Sequence, residues 1–286
     1  MTQGTVGLAE LFTLERTGTD CWVGRTDGVR LPQLFGGQLV GQTLVAAGAS
    51  VEDAKALHSI HTTFLRAGAS GVPVTFRVER LRDGRSISTR QVDAWQGERL
   101  LCRSTVSCAV EPDGISHQRP APTVPGPQDC PDIRDVAAAD GGLGEFWEDF
   151  AAVEIRLVPD VPGEVAHSAS PVNGVWMRSV DPIGDDPVLQ RAALAYASDL
   201  MLMSTAVTPH GHVPGHERSL ARDWTAVSLD HALWFRGTPR ADDWMLFEHS
   251  TPMGRAGRAV VEAGVFDRAG SSIGHCVQEA WIQRRS

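Results

Sequence analysis

Residues 35–49 read Phe35-Gly-Gly-Gln-Leu-Val-Gly-Gln-Thr-Leu-Val-Ala-Ala-Gly-Ala49, a stretch without one charged side chain. Leu39, Val40, Thr43, Leu44 and Ala47 recur at helical spacing. A helix with no polar face has to be enclosed by the rest of the fold. Strand-like segments follow at once: His58 to Leu65, Val74 to Leu81, Ser86 to Trp95 and Leu100 to Val110. Asp83-Gly84 and Gln96-Gly97 are turn signals between them. A buried helix followed by a curved antiparallel meander that wraps it predicts an α+β module of the hotdog type.

The second half repeats this order. Val153 to Val158 and Val175 to Val180 read as early strands. Pro187 to Thr205 reads as one helix, with Pro187 near its first turn and Leu189, Ala193, Tyr196 and Leu200 as its apolar stripe. Strands at Ala226 to Arg236, Trp244 to Ser250, Arg258 to Phe266 and Ile273 to Ile282 complete it. Arg66 and Gly84 are 18 apart (84 − 66), as are Arg236 and Gly254 (254 − 236), which points to an internal duplication. Pro112, Pro120, Pro122, Pro125, Pro127 and Pro131 crowd the junction, as in a stiff linker. The expected layout is an N-terminal hotdog module over 1–110, a Pro-rich linker over 111–150, and a C-terminal hotdog module over 151–286.

The 286-residue chain carries a net charge of −9. That argues against a nucleic-acid partner, which calls for a basic footprint. A local Arg cluster can still meet an anionic ligand. Cys21, Cys102, Cys108, Cys130 and Cys276 are odd in number and widely spaced, so neither disulfides nor a zinc site is expected. The start Met1-Thr-Gln-Gly4 has no secretion signal, and no apolar run approaches the roughly 20 residues of a membrane span. A soluble, cytoplasmic protein is the expectation.

Two apparent motifs carry little chemistry. Gly270-Ser-Ser-Ile-Gly274 matches the serine-hydrolase pattern but falls between two strands, where a hairpin turn explains it better than a nucleophile elbow. His210, His212 and His216 occupy a Gly/Pro-rich segment that reads as a polar loop rather than a metal site. Phosphate-binding and dinucleotide fingerprints are absent, so neither metal nor cofactor is expected.

Three polar residues stand out against apolar surroundings. Asp199 interrupts Ala195-Tyr-Ala-Ser-Asp-Leu-Met-Leu202, where an unpartnered carboxylate is costly. Ser228 opens Ser-Leu-Asp-His231, with Asp230 expected on its strand face, and Gln278 falls within the last core strand. Each alone has a bland structural reading.

Together the strings resemble the acyl-CoA thioesterase II family, over nearly the whole chain. Leu34-Phe-Gly-Gly-Gln-Leu-Val-Gly-Gln42, His58-Ser-Ile-His61, Phe64-Leu-Arg66 and Leu81-Arg-Asp-Gly-Arg85 carry the likeness in the first half. Ser198-Asp-Leu200, Ser228-Leu-Asp-His231, Trp234-Phe235 and Val277-Gln-Glu279 carry it in the second. The resemblance implies a catalytic trio of Asp199, Ser228 and Gln278 that activates water on an acyl-CoA thioester, with no covalent acyl-enzyme. It implies substrate contacts at Gly36, Gly37, Arg66 and His58, and a homodimer or higher homo-oligomer. His58 and His61 read as structural rather than catalytic. Arg85, Arg255 and Arg258 are further candidates for the CoA phosphates. Trp234-Phe-Arg-Gly-Thr-Pro239 departs from the family's usual Trp-Phe-His-Arg-Pro, which bears on substrate preference. The competing readings are a non-catalytic acyl-CoA-binding hotdog protein and a hotdog enoyl-CoA hydratase.

Overall fold

The computed structural model describes residues 6–52, 54–111, 113–144, 147–159 and 172–285. The start of the expected N-terminal module (1–5) and Pro112 of the expected linker lie outside these residues. The first half contributes strands β1 (Glu15–Gly18), β2 (Cys21–Gly24), β3 (Ala56–Phe64), β4 (Val74–Asp83), β5 (Ile87–Gln96) and β6 (Arg99–Ala109). The second contributes β7 (Val153–Leu157), β8 (Val172–Ser179), β9 (Trp224–Ser228), β10 (Asp230–Phe235), β11 (Met245–Arg255), β12 (Arg258–Phe266) and β13 (Ser272–Arg284). They form one antiparallel sheet in the order β1-β2-β4-β5-β6-β3-β10-β13-β12-β11-β8-β7, with β9 beside β13.

The order is palindromic in kind. From the central β3–β10 pair, β6-β5-β4-β2 runs one way and β13-β12-β11-β8 the other. The element order therefore repeats as the sequence predicts. The residue-by-residue superposition does not. Matching Arg66 to Arg236 would make His61 equivalent to His231, yet His61 is exposed and His231 is buried. Side chains alternate along a strand, so equivalent positions must share a face. Thr62 and His231, paired across the centre and both buried, do so instead.

Two helices lie in the embrace of the sheet: α2 (Gly36–Gly48), following the single turn α1 (Leu8–Leu11), and α4 (Pro187–Ser198), following α3 (Ile133–Ala137). A Cβ on Gly37 would come within 2.6 Å of the Tyr196 carbonyl, and one on Gly41 within 2.9 Å of the Ala192 carbonyl. The glycines thus let α2 press against α4, and the helices run antiparallel. The start of α2 meets the end of α4. Gln38 and Gln42, fully buried on α2, hold the backbone of the N-terminal arm: Gln42 Nε2 donates to the Leu11 and Arg25 carbonyls, and Gln38 Oε1 accepts from the Asp27 amide. Ile133, Ala137 and Phe150, all within the stretch 111–150, are buried in the main core.

The helix expected over Pro187 to Thr205 is broken. α4 ends at Ser198, and α5 (Leu202–Val207) begins after Met201, which takes the left-handed conformation at φ 66°. A non-glycine residue there is strained, and such strain gathers at functional sites. The break removes Asp199 from the helix interior and makes it the C-terminal cap of α4. The strand expected over Ala226 to Arg236 is also interrupted, between β9 and β10 at Leu229. A further short helix, α6 (Glu217–Asp223), precedes β9.

Candidate active site

Asp199 leaves α4 where α2 begins. Its Oδ2 accepts a hydrogen bond from the Gly37 amide at 2.8 Å. That amide belongs to the first turn of α2, where backbone donors have no partner within the helix and the dipole favours an anion. The fit is close, since a Cβ on Gly36 would stand 2.7 Å from Asp199 Oδ2 and 3.0 Å from the Phe64 ring. Burial raises the carboxyl above its ordinary range, and the His231 ring, the Gly37 amide and the Gln278 side chain pull it partly back.

Ser228 and Gln278 meet on neighbouring strands. Gln278 Nε2 donates to Ser228 Oγ at 3.0 Å, and Gln278 is fully buried. The interruption at Leu229 produces this geometry. The paired positions slip by one residue along β13, from Ala280↔Ser228 on β9 to Val277↔Ala232 on β10, which is the signature of a bulge. The Leu229 peptide bridges its neighbours, its amide donating to Glu279 O and its carbonyl accepting from the Phe64 amide. Asp230 Oδ1 accepts from the Glu279 amide at 2.7 Å. The extra residue sends Asp230 outward to solvent and leaves Ser228 and His231 in one inward network. This corrects the expectation that Ser228 and Asp230 share a face, which assumed a regular strand.

His231 is the component that sequence reasoning quoted without a role. It is fully buried, with Nδ1 2.7 Å from Gln278 Oε1 and Nε2 3.0 Å from Ser198 Oγ. The structure therefore connects Asp199, Ser198, His231, Gln278 and Ser228 from four separate elements, α4, β9, β10 and β13. Gly36 and Gly37 belong to the same site. Arg66 lies two residues beyond Phe64, exposed, its guanidinium donating to the Leu100 carbonyl. His58 is at the other end of β3, roughly 20 Å from Phe64 along the strand, near Arg236. Burial lowers its pKa, with the Arg236 charge adding to the effect.

Other nucleophile candidates are spoken for. The Gly270 to Gly274 stretch runs from a turn, in which Asp267 Oδ1 accepts from the Ala269 and Ser271 amides and Gly270 has φ 84°, into the start of β13. Cys276, two residues before Gln278, is buried and its thiol is pushed up to about 12, so it is no thiolate near neutral pH. His212 bonds to Ser204 Oγ at 2.8 Å, and among the described residues no group of His, Cys, Asp and Glu could hold a metal ion. No helix among them is long and apolar enough to cross a membrane.

The double hotdog thus holds a buried acid at the junction of its two central helices, beside an amide and a hydroxyl from neighbouring strands. The family profiles for the acyl-CoA thioesterase N-terminal and C-terminal domains match residues 28–109 and 127–282. Acyl-coenzyme A thioesterase 8 of Rattus norvegicus is 33% identical over 98% of this chain and 90% of its own length. Acyl-CoA thioesterase 2 of Haemophilus influenzae is 30% identical over 96% of both chains. The solved acyl-CoA thioesterase II of Mycobacterium marinum superposes with a TM-score of 0.81 at 34% identity, covering 98% of this chain and 99% of that one. The chain belongs to the acyl-CoA thioesterase II family, and it is a thioester hydrolase.

Proposed function

We propose that this enzyme hydrolyses acyl-CoA to a free fatty acid and CoA with Asp199 as general base. The observation that carries this reading is the carboxylate held at the α2 N-terminus by Gly37, with the Ser228–Gln278 pair in the same network. In this reading Asp199 takes a proton from a water held by Ser228 and Gln278. The water oxygen attacks the thioester carbonyl carbon. As the tetrahedral intermediate collapses, the C–S bond breaks and the proton on Asp199 passes to the CoA sulfur. Holding the water against the carbonyl supplies several kcal/mol of barrier reduction. Ser228 serves as a hydrogen-bond partner, since its bonded neighbour is the Gln278 amide and not a histidine base.

Substrate contacts belong to the same proposal. Gly36 and Gly37 would line the reacting end. The exposed Arg66 stands at the site end of β3, where it would meet a CoA phosphate. His58, at the far end of that strand, lies roughly 20 Å from the reacting end. The N-terminal module then supplies the α2 terminus, and the C-terminal module supplies Asp199, Ser228 and Gln278. Exposed edge strands such as β1 favour assembly of the chain into a homodimer or larger homo-oligomer, which light scattering would measure.

Hydrolysis in 18O-water tests the water-attack step. Intact-protein mass during turnover of palmitoyl-CoA should show no added acyl group, and each fatty acid released should carry one 18O atom. An acyl adduct on Ser228 would replace this mechanism with a covalent one.

A further inference from the structure

The proton inventory around Gln278 has a consequence for His231. Gln278 Nε2 donates to Ser228 Oγ and its side chain also supports the Asp199 carboxylate, so its NH2 end faces the acid. Its Oε1 end, an acceptor only, then faces His231 Nδ1 at 2.7 Å. That contact requires a proton on Nδ1. The opposite ring nitrogen adapts to either state. With Nε2 bare, the Ser198 hydroxyl donates to it. With Nε2 protonated, Ser198 Oγ accepts from it and donates to the Ala195 carbonyl at 2.9 Å. A His231 ring bare at Nδ1 would instead turn the Gln278 amide over and set its carbonyl oxygen against the Asp199 carboxylate.

We infer that His231 is a positioning residue: its Nδ1–H fixes the Gln278 amide with the NH2 end toward Asp199 and Ser228, and Ser198 fixes the ring. His231 touches neither water nor thioester and acts through Gln278. Packing alone does not require it. A buried strand position beside Leu233 and Phe235 would be filled more cheaply by an aliphatic side chain than by an imidazole needing two partners. The inference rests on the water-activation reading of Asp199 and Gln278.

Three measurements test it. In the folded wild type, long-range 15N–1H correlation of labelled histidines should place a proton on His231 Nδ1; a ring protonated only at Nε2 overturns the inference without any variant. His231→Leu removes the donor and should lower kcat about 10- to 100-fold, as loss of an orienting partner does, with KM within about 2-fold. His231→Asn keeps a donor near the Nδ1 position and should restore most of that loss. Unchanged kcat in His231→Leu, or equal loss in both variants, also overturns it. Asp199→Asn serves as the control. If it hydrolyses at the wild-type rate, the site reading itself has failed. If it is impaired while His231→Leu is not, only the role of His231 has.

Discussion

The Gly37 amide and the Asp199 carboxylate, 162 residues apart, are joined by a 2.8 Å hydrogen bond where the start of one central helix lies beside the end of the other. The contact ties the N-terminal module to the acid of the C-terminal one. It also stabilises the ionised carboxylate, against the burial that raises its pKa.

Two adjacent glycines should therefore fail in different ways. A Cβ at Gly36 meets the movable end of Asp199, so Gly36→Ala should lower kcat with little change in Tm. A Cβ at Gly37 meets the Tyr196 carbonyl at 2.6 Å, which is backbone. Gly37→Ala should destabilise the fold by about 1–3 kcal/mol, the usual cost of overpacking, measured by urea unfolding.

Ser228 and Gln278 share one hydrogen bond, so their effects should not add. Ser228→Ala and Gln278→Ala should each slow hydrolysis on the order of 10-fold, less than loss of the base, and the double variant should be well short of the product. Fully multiplicative losses would show that the two residues act separately.

The raised pKa of Asp199 has a signature in both rate and stability. A general base works deprotonated, so kcat/KM should fall as pH drops through a value above the ordinary 3.8 of an Asp. Because the folded protein binds this proton more tightly than the unfolded chain, the contribution of Asp199 to stability is present in full below 3.8 and is lost as pH rises through the raised value. Asp199→Asn should remove that decline and raise Tm at neutral pH while abolishing most activity.

Glu217 should show the same sign away from the site. It is 1% exposed, and burial pushes it up to about 7 from 4.5. Its contribution to stability is present in full below pH 4.5 and is lost as pH rises to about 7, by up to roughly 3 kcal/mol. Glu217→Gln should flatten the unfolding free energy across that window, in urea melts from pH 4 to 8.

Much of the fold was legible because it is written in periodicity. The uncharged run at 36–48 could only be an enclosed helix, and the alternating segments after it could only be strands. Asp199 was legible as a costly acid in an apolar run. The break beside it was not, because Met201 adopts a left-handed φ with no glycine or proline to announce it. The bulge at Leu229 was equally silent. A strand pattern allots alternate faces and so sets Ser228 beside Asp230, whereas the extra residue brings Ser228 and His231 to opposite ends of the Gln278 amide. The role of His231 depends on Ser198 and Gln278, on two other elements, and no local spacing reports that. The count from Arg66 to Arg236 failed for the same reason: topology repeats, but facing is fixed by pairing across the sheet.

The central claim is that Asp199 activates the water. Release of CoA from palmitoyl-CoA and shorter acyl-CoAs, followed with a thiol reagent, tests it in wild type and Asp199→Asn with matched folding. The account predicts a fall in kcat of about 100-fold or more, in the range of a lost general base. Hydrolysis at the wild-type rate in the folded variant would contradict it and remove Asp199 from the chemistry.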